Sequence, residues 1–181
     1  MEEPRSHRVF FALWPDAESA SHLAALGHAL ASGGGRAMRP ATLHLTLAFI
    51  GSVTGAQCEV LRGVGESVHG EPFDLSLDRL GFWPRRGILW AGCRQPPSLL
   101  HRLSAALDSG LAAAGFAPDR PGGASLVPHV TLARRVRCRD LPRLETPIRW
   151  RVGSFALVES HLHPSAASYR ILAEFPLGAR A

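Results

Sequence analysis

A short pattern of histidine and threonine occurs twice in the chain, and these residue types can transfer protons and bind oxyanions. His44–Ala48 read His-Leu-Thr-Leu-Ala, and His129–Ala133 read His-Val-Thr-Leu-Ala. Both segments are predicted to be β-strands, in which residues i and i+2 point to the same face, about 6.6–6.8 Å apart. Each copy would present one imidazole and one hydroxyl together. Two such strands side by side would direct two histidines and two threonines into one cleft.

The four side chains, His44, Thr46, His129 and Thr131, suit the opening of a phosphodiester. One neutral imidazole can take a proton from water as the water attacks phosphorus, while the other imidazole, protonated, donates to the departing oxygen. An unperturbed histidine has a pKa of about 6.5, so both protonation states are accessible near neutrality. The threonine hydroxyls can donate hydrogen bonds to the non-bridging oxygens. A single His-x-Thr is far more often a surface pair, but two copies in matching registers are harder to explain that way.

Arg134 directly follows the second copy and could hold a phosphate through its guanidinium fork. Strict strand alternation places Arg134 on the face opposite His129 and Thr131, and it places Arg135 on their face instead. Arg134 would join the histidine and threonine only if the strand ended or formed a bulge there. On strand geometry alone both Arg134 and Arg135 are candidates for the phosphate.

The composition excludes several classes of function. All 20 basic residues are arginine, and the sequence contains no lysine. A P-loop lysine, a Schiff base and a lysyl-adenylate are therefore excluded, and with them any ligase that works through a covalent lysine–nucleotide. The formal net charge of +5 favours anionic partners such as nucleic acid, although a genomic composition bias gives the same charge.

No metal site or disulfide framework is predicted. The three cysteines are an odd set and include no C-x-x-C pair. His161 and His163 could be interpreted as part of a metal site, but Pro164 follows directly and no third ligand is evident nearby. An exposed strand end is the preferred interpretation of this pair.

The hydrophobic periodicity predicts an α+β fold. Strands are expected at His7–Trp14, Leu43–Ile50, Phe73–Leu77, Gly87–Cys93, His129–Arg134, Ile148–Ser160 and Tyr169–Leu177. Helices are expected after the cap Asp16, after the capping box Thr54–Gln57 and at Ser98–Ala114, and loops at Gly33–Gly35 and Ala117–Val127. Consecutive alternating strands favour antiparallel sheets with helices outside. No linker is long enough to separate independent domains, so residues 1–181 are expected to form one domain.

The chain resembles the bacterial and archaeal RNA 2′,3′-cyclic phosphodiesterases, also called 2′,5′ RNA ligases, of the two-histidine phosphoesterase superfamily. Beyond the two His-x-Thr-Leu motifs, the resemblance extends over residues 8–12, 44–51, 88–92, 128–134 and 157–160, and to Tyr169. It implies two pseudo-symmetric lobes of antiparallel sheet with outer helices around a central cleft. It also implies that no metal or other cofactor is needed. The family often has an aromatic residue where Met38 stands.

The resemblance further implies a reaction and a role for each site residue. Family members open a terminal 2′,3′-cyclic phosphate on RNA to a 2′-phosphate, and some join tRNA halves through a 2′,5′ linkage by the reverse chemistry. By this resemblance His44 donates a proton to the 3′-oxygen and His129 accepts one from water. Thr46 and Thr131 line the phosphate site, and Arg134 matches the arginine that closes the second motif.

Aromatic residues and one further arginine are candidates for holding the bases by stacking. They are Phe49, Phe82, Trp83 and Arg85, and Tyr169 is an additional substrate-binding candidate. Phe49 lies in a predicted strand, where plain core packing is an equal alternative.

The expected partner is RNA with a 2′,3′-cyclic phosphate end, tRNA fragments included, bound by a monomer. No stretch approaches the ~18 consecutive apolar residues of a membrane span, and no signal peptide is evident, so a cytoplasmic location without membrane association is expected. Two rival functions remain open. One is hydrolysis of a small nucleotide, such as ADP-ribose 1″,2″-cyclic phosphate or a 2′,5′-oligoadenylate, and the other is RNA-end binding without turnover. Intact histidine and threonine at all four motif positions argue against the second rival.

Overall fold

Three α-helices interrupt a series of strands in the computed structural model, which describes residues 6–31, 34–119, 126–138, 140–162 and 167–178. The helices are α1 (Ala17–Leu30), α2 (Gly55–Ser67) and α3 (Ser98–Ala113), with a 3₁₀ turn at Pro40–Thr42. The strands are β1 (His7–Leu13), β2 (Arg36–Ala37), β3 (Leu45–Val53), β4 (Phe73–Leu77), β5 (Arg79–Trp83), β6 (Ile88–Gly92), β7 (His129–Arg134), β8 (Ile148–Val152), β9 (Ser154–Leu162) and β10 (Ala167–Pro176).

Most of these strands form one antiparallel sheet in the order β10-β9-β1-β3-β7-β6-β5, with the short β2 also paired to β7. Strands β4 and β8 pair with each other in a separate ribbon. Helix α1 packs against β7, α2 against β9 and β10, and α3 against β3 and α2. The predicted α+β class, with antiparallel sheets and outer helices, is confirmed.

The helices begin where the sequence places their caps. The Asp16 carboxylate accepts a hydrogen bond from the backbone N–H of Ser19 at the start of α1. Thr54 and Gln57 form the predicted capping box at the start of α2. Such side chains satisfy N–H groups that a helix cannot bond internally, and each is typically worth ~1 kcal/mol. Within the described residues, no helix is long and apolar enough to cross a membrane.

Some boundaries differ from the sequence prediction. Residues expected to lie in a loop before β6 form β5 instead. The central residue of β5 is Gly81, which lies against the Trp90 ring. Because glycine has no apolar side chain, the alternation typical of a strand is not visible there. The strand predicted for Ile148–Ser160 is two strands, β8 and β9, which separate at Gly153 and belong to different sheets. The loop predicted for Ala117–Val127 lies partly outside the described residues, as does Gly33.

The two motif copies meet at the centre of the large sheet. Strands β3 and β7 are antiparallel, and their register pair joins Leu45 to Val130, which are equivalent positions of the two copies. When equivalent residues pair in antiparallel strands, a local twofold axis passes between them. The sequence repeat therefore becomes a pseudo-twofold that relates β3, β1 and β9 to β7, β6 and β5, in that order, and β10 extends the first half by one more strand.

The inner side chains of the motifs hold both halves on one apolar core. Leu45, Leu47, Val130 and Leu132 are each at most 1% exposed, as the alternation predicts. Burial of a leucine side chain is worth about 1.5–3 kcal/mol. This packing fixes the two strands that carry the histidines.

Candidate active site

The motif side chains His44, Thr46, His129 and Thr131 line a single cavity of about 780 Å³. His44 lies immediately before β3 and His129 is the first residue of β7, so both imidazoles stand where the two strands approach each other. All four residues are half-buried. The structure thus brings together two imidazoles and two hydroxyls, one of each from either side of the pseudo-twofold.

Both imidazoles are held by the same backbone contact. The Nδ1 atom of His44 lies 2.9 Å from the carbonyl oxygen of Thr42, and the Nδ1 atom of His129 lies 2.8 Å from the carbonyl oxygen of Val127. A carbonyl oxygen only accepts, so Nδ1 carries the hydrogen in each ring. The Nε2 atom of a neutral ring then has its lone pair available to take a proton.

Burial lowers the pKa of both histidines. Desolvation is the largest cause for His44, whose pKa falls to about 4; the hydrogen bond to Thr42 opposes this change, and the charges of Arg134 and His129 add to it. Desolvation also lowers the pKa of His129, with a further contribution from the charge of Arg134. Both imidazoles are therefore neutral at pH 7 in the unliganded cleft. A bound phosphate anion would raise both pKa values.

A β-bulge in the second motif directs Arg134 towards the cavity. Leu89 pairs with Ala133 and Trp90 pairs with Thr131, so Leu132 is an extra residue on β7. An extra residue reverses the alternation of side chains beyond it. Arg134 consequently lines the cavity beside Thr131.

The first motif carries a bulge at the equivalent position. Phe11 pairs with Ala48 and Ala12 pairs with Thr46, which leaves Leu47 as the extra residue on β3. Phe49 then occupies the place that Arg134 has in the other half, and it also lines the cavity. The symmetry of the backbone is therefore not a symmetry of the side chains.

Helix α1 supports the second bulge through a glycine. A Cβ atom on the buried Gly27 would lie only 2.7 Å from the carbonyl oxygen of Leu132. Glycine allows this approach, although in a helix it costs roughly 1 kcal/mol relative to alanine. The packing of α1 thereby holds the bulge that directs Arg134.

Aromatic rings surround His44. The indole of Trp14 stacks on the imidazole with centroids 5.2 Å apart and planes 8° apart. The ring of Tyr169 meets it edge-on at 5.0 Å, and Phe10 lies tilted at 5.0 Å. Tyr169, predicted to bind substrate, is therefore placed against His44 rather than in the cavity lining. No spacing in the sequence indicates that Trp14 lies against His44.

His129 is enclosed by two tryptophans. Trp83 lies edge-on to the imidazole at 4.6 Å, and Trp90 lies at 6.2 Å. The cavity is also lined by three of the four stacking candidates, Trp83, Phe49 and Arg85. Phe82, the remaining stacking candidate, packs against the main core instead.

No group of three or more histidine, cysteine, aspartate or glutamate side chains that could hold a metal occurs among the described residues. His161 is exposed and pairs with Glu159 at 3.1 Å. Glu159 is buried and also pairs with His7 and Arg170. His163 lies outside the described residues.

The chain is similar to known proteins in both sequence and fold. The family model described as the 2′-5′ RNA ligase superfamily matches residues 8–164. An RNA 2′,3′-cyclic phosphodiesterase of Escherichia coli (strain K12) is 39% identical over 101 residues, which are 55% of this chain and 55% of that protein. A protein of the same name from Aquifex aeolicus (strain VF5) is 30% identical over 157 residues, 80% of this chain and 82% of that one. The crystal structure of E. coli LigT complexed with 3′-AMP has a TM-score of 0.86 at 28% identity and covers 97% of this chain and 100% of that chain.

Proposed function

We propose an activity for this chain, which belongs to the 2′-5′ RNA ligase superfamily. We infer that it is an RNA 2′,3′-cyclic phosphodiesterase. It hydrolyses a 2′,3′-cyclic phosphate at an RNA end to a 2′-phosphate and needs no metal ion. Relatives of that name in Escherichia coli, Aquifex aeolicus and Thermus thermophilus support the activity. The observation that carries the mechanism is the pair of His-x-Thr motifs around one cavity, each with its imidazole anchored through Nδ1.

His129 acts as the general base. Its neutral Nε2 takes a proton from water as the water oxygen forms a bond to phosphorus. The low pKa of His129 keeps this nitrogen unprotonated at pH 7 in the free cleft. The hydrogen bond to the Val127 carbonyl fixes the tautomer, so no rearrangement of the ring precedes the proton transfer.

His44 acts as the general acid. The bond from phosphorus to the 3′-oxygen breaks, and His44 gives its proton to that oxygen, which leaves a 2′-phosphate and a 3′-hydroxyl. A pKa of about 4 makes His44 neutral before substrate binds. The negative charge of the bound cyclic phosphate raises the pKa of the imidazole beside it, so the charged form appears together with the substrate.

The hydroxyls and the arginine stabilise the phosphate. Thr46 and Thr131 each offer one O–H to a non-bridging oxygen, and the Arg134 guanidinium offers a charged fork. These donors are held by strands, so little reorganisation is needed as charge develops on the oxygens. All three residues line the same cavity as the histidines.

The same groups would join two RNAs when the 5′-hydroxyl of a second RNA replaces water as the nucleophile. Attack by that oxygen, with loss of the 3′-oxygen, joins the two RNAs through a 2′,5′ linkage, as between tRNA halves. The energy comes from the strained ring, so no lysyl-adenylate is needed, in keeping with a chain that has no lysine.

Product analysis tests the activity. Purified protein is incubated with an oligonucleotide that ends in a 2′,3′-cyclic phosphate, and the product is identified by phosphorus NMR. We expect a 2′-phosphate, and a dominant 3′-phosphate or no turnover would refute the proposal. ADP-ribose 1″,2″-cyclic phosphate and a 2′,5′-oligoadenylate serve as competing substrates, and a higher kcat/KM for either would move the assignment to small nucleotides.

A thio-substituted substrate tests which histidine is the acid. Sulfur in place of the 3′-oxygen is a good leaving group that needs no proton. His44→Ala should recover most of its lost activity on the 3′-thio cyclic phosphate, whereas His129→Ala should not. The opposite result would make His129 the general acid and His44 the general base, and the proposed hydrolysis of the cyclic phosphate would still hold.

A further inference from the structure

Four arginines gather at one lip of the cavity, although the proposed chemistry uses only one of them. Arg85 and Arg86 lie in the turn between β5 and β6, and Arg134 and Arg135 lie at the end of β7. All four are exposed, and Arg85, Arg86 and Arg134 line the cavity. We refer to these four residues as the arginine lip.

The backbone of the arginine lip is fixed. The N–H of Val136 donates to the carbonyl oxygen of Gly87 at 3.0 Å, which joins the end of β7 to the β5–β6 turn. Gly87 has a φ of +59°, and a Cβ atom there would lie 3.2 Å from the Cα atom of Arg135. Arg135 itself has a φ of +57°, a left-handed conformation that is uncommon for a residue with a side chain. The two pairs of arginines are therefore held side by side by close backbone contacts.

The positive charge of the lip is not neutralised within the described part of the chain. The ion pairs there involve other arginines, Arg62, Arg151 and Arg170. Like charges held together repel one another, and a bound anion relieves that repulsion. A patch of this kind at the mouth of a phosphoester site favours a polyanion.

The opposite lip has a different character. Phe49 lines the cavity there, and the backbone N–H of Asp119 donates to the Phe49 carbonyl oxygen at 2.7 Å, which places a carboxylate at the same edge. Arg8 lies over the Phe49 ring at 4.7 Å and is not part of the cavity lining. A negatively charged strand that leaves the cavity is attracted to the arginine lip and repelled by Asp119.

We propose that the arginine lip binds the internucleotide phosphates of the RNA strand that precedes the cyclic end. This inference rests on the proposed function and extends it, because it makes a single-stranded oligonucleotide end, rather than a mononucleotide, the preferred substrate. Contacts to phosphates position a strand without reading its sequence. The preference should therefore depend on length and on salt, and not on the bases.

Salt dependence of binding tests the lip directly. The probe is a 5′-fluorescein-labelled eight-nucleotide RNA with a 3′-terminal phosphate, and its Kd is measured by anisotropy from 50 to 200 mM KCl. Each phosphate contact to a single strand contributes about −0.7 to the slope of log affinity against log salt. The double variant Arg85→Gln/Arg86→Gln should lose about 1.4 of that slope. Over this salt range the wild type should then lose about 7-fold more affinity than the variant.

The matched control removes the same charge elsewhere. Arg102→Gln/Arg143→Gln replaces two exposed arginines, one on α3 and one in the segment before β8. This control should keep the slope of the wild type. Equal slopes for the wild type and Arg85→Gln/Arg86→Gln would overturn the inference, as would a control that lost the slope equally.

Turnover provides a second readout. The ratio of kcat/KM for a cyclic-ended octanucleotide to that for a mononucleotide 2′,3′-cyclic phosphate should fall in Arg85→Gln/Arg86→Gln and persist in the control. Failure of the wild type to hydrolyse any cyclic end would refute the proposed function. The binding slope would still decide the role of the lip, because it does not require turnover.

Discussion

We expect the replacement His44→Asn to make the folded protein less sensitive to acid. Burial lowers the pKa of His44 to about 4 in the folded protein, whereas a histidine in an unfolded chain has a pKa of about 6.5. Between these values the unfolded state binds the proton more tightly, so the free energy of unfolding falls as the pH falls. The stabilisation is fully present above pH 6.5 and is lost as the pH drops through 6.5 towards 4.

The size of the effect follows from the two pKa values. Their difference of about 2.5, at 1.36 kcal/mol for each pKa unit, gives about 3 kcal/mol once the pH is well below 4. At pH 4.5 the linkage relation gives a loss of about 2 kcal/mol relative to pH 7. The asparagine amide can still donate to the Thr42 carbonyl, so the variant removes the titration while keeping the anchoring hydrogen bond.

Urea unfolding at pH 7.0 and pH 4.5 measures this difference. The wild type should lose about 2 kcal/mol more than His44→Asn between the two pH values. The control is His22→Asn, which changes an exposed histidine on α1 and should behave like the wild type. If the wild type and His44→Asn lost the same free energy, the imidazole would not be desolvated, and the account of the site electrostatics would be wrong.

Four further outcomes are expected. His44→Ala and His129→Ala should each lower kcat roughly 10²–10⁴-fold with a cyclic-ended RNA, and the double variant should be little worse than the poorer single one; near-normal kcat in a folded single variant would contradict the acid–base pair. Thr46→Ala and Thr131→Ala should each cost less in kcat/KM, because each removes one neutral hydrogen bond, and a loss equal to that of a histidine variant would give the hydroxyl a different role. Gly27→Ala should lower both Tm and kcat/KM through its clash with β7, whereas a higher Tm would show that helix propensity outweighs the contact. Activity should survive EDTA, and its loss with recovery on adding zinc would contradict a metal-free reaction.

The sequence predicts the positions of the motif side chains but not all of the site. A strand period of two residues places a histidine and the threonine after it on one face, and His44 with Thr46 follows that rule. Arg134 breaks the rule, because the bulge at Leu132 depends on the pairing of β7 with β6 and on the packing of α1 at Gly27. Strand β6 and helix α1 are distant from β7 in the sequence, so no local sequence pattern predicts the bulge.

The aromatic surroundings of the histidines are hidden from the sequence for a similar reason. Trp14 follows β1 and reads as the end of an apolar run, yet it stacks on His44. Strand β5 is not predicted from the sequence because a glycine, Gly81, occupies its buried centre in place of a large apolar residue. The contact between Trp83, at the end of this strand, and His129 is therefore not predicted either. Tertiary neighbours, rather than propensity, determine these contacts.

The pairing of Leu45 with Val130 across a pseudo-twofold has a consequence for the direction of the cleft. In a homodimer with true twofold symmetry, two equivalent residues must be identical, and the site between them cannot distinguish one end of a ligand from the other. A single chain that carries both halves is free of this restriction. At the bulge-shifted position it has Phe49 in one half and Arg134 in the other. The cleft thus has an aromatic ring and a carboxylate at one end and a guanidinium at the other, so a ligand whose own two ends differ is favoured in one direction.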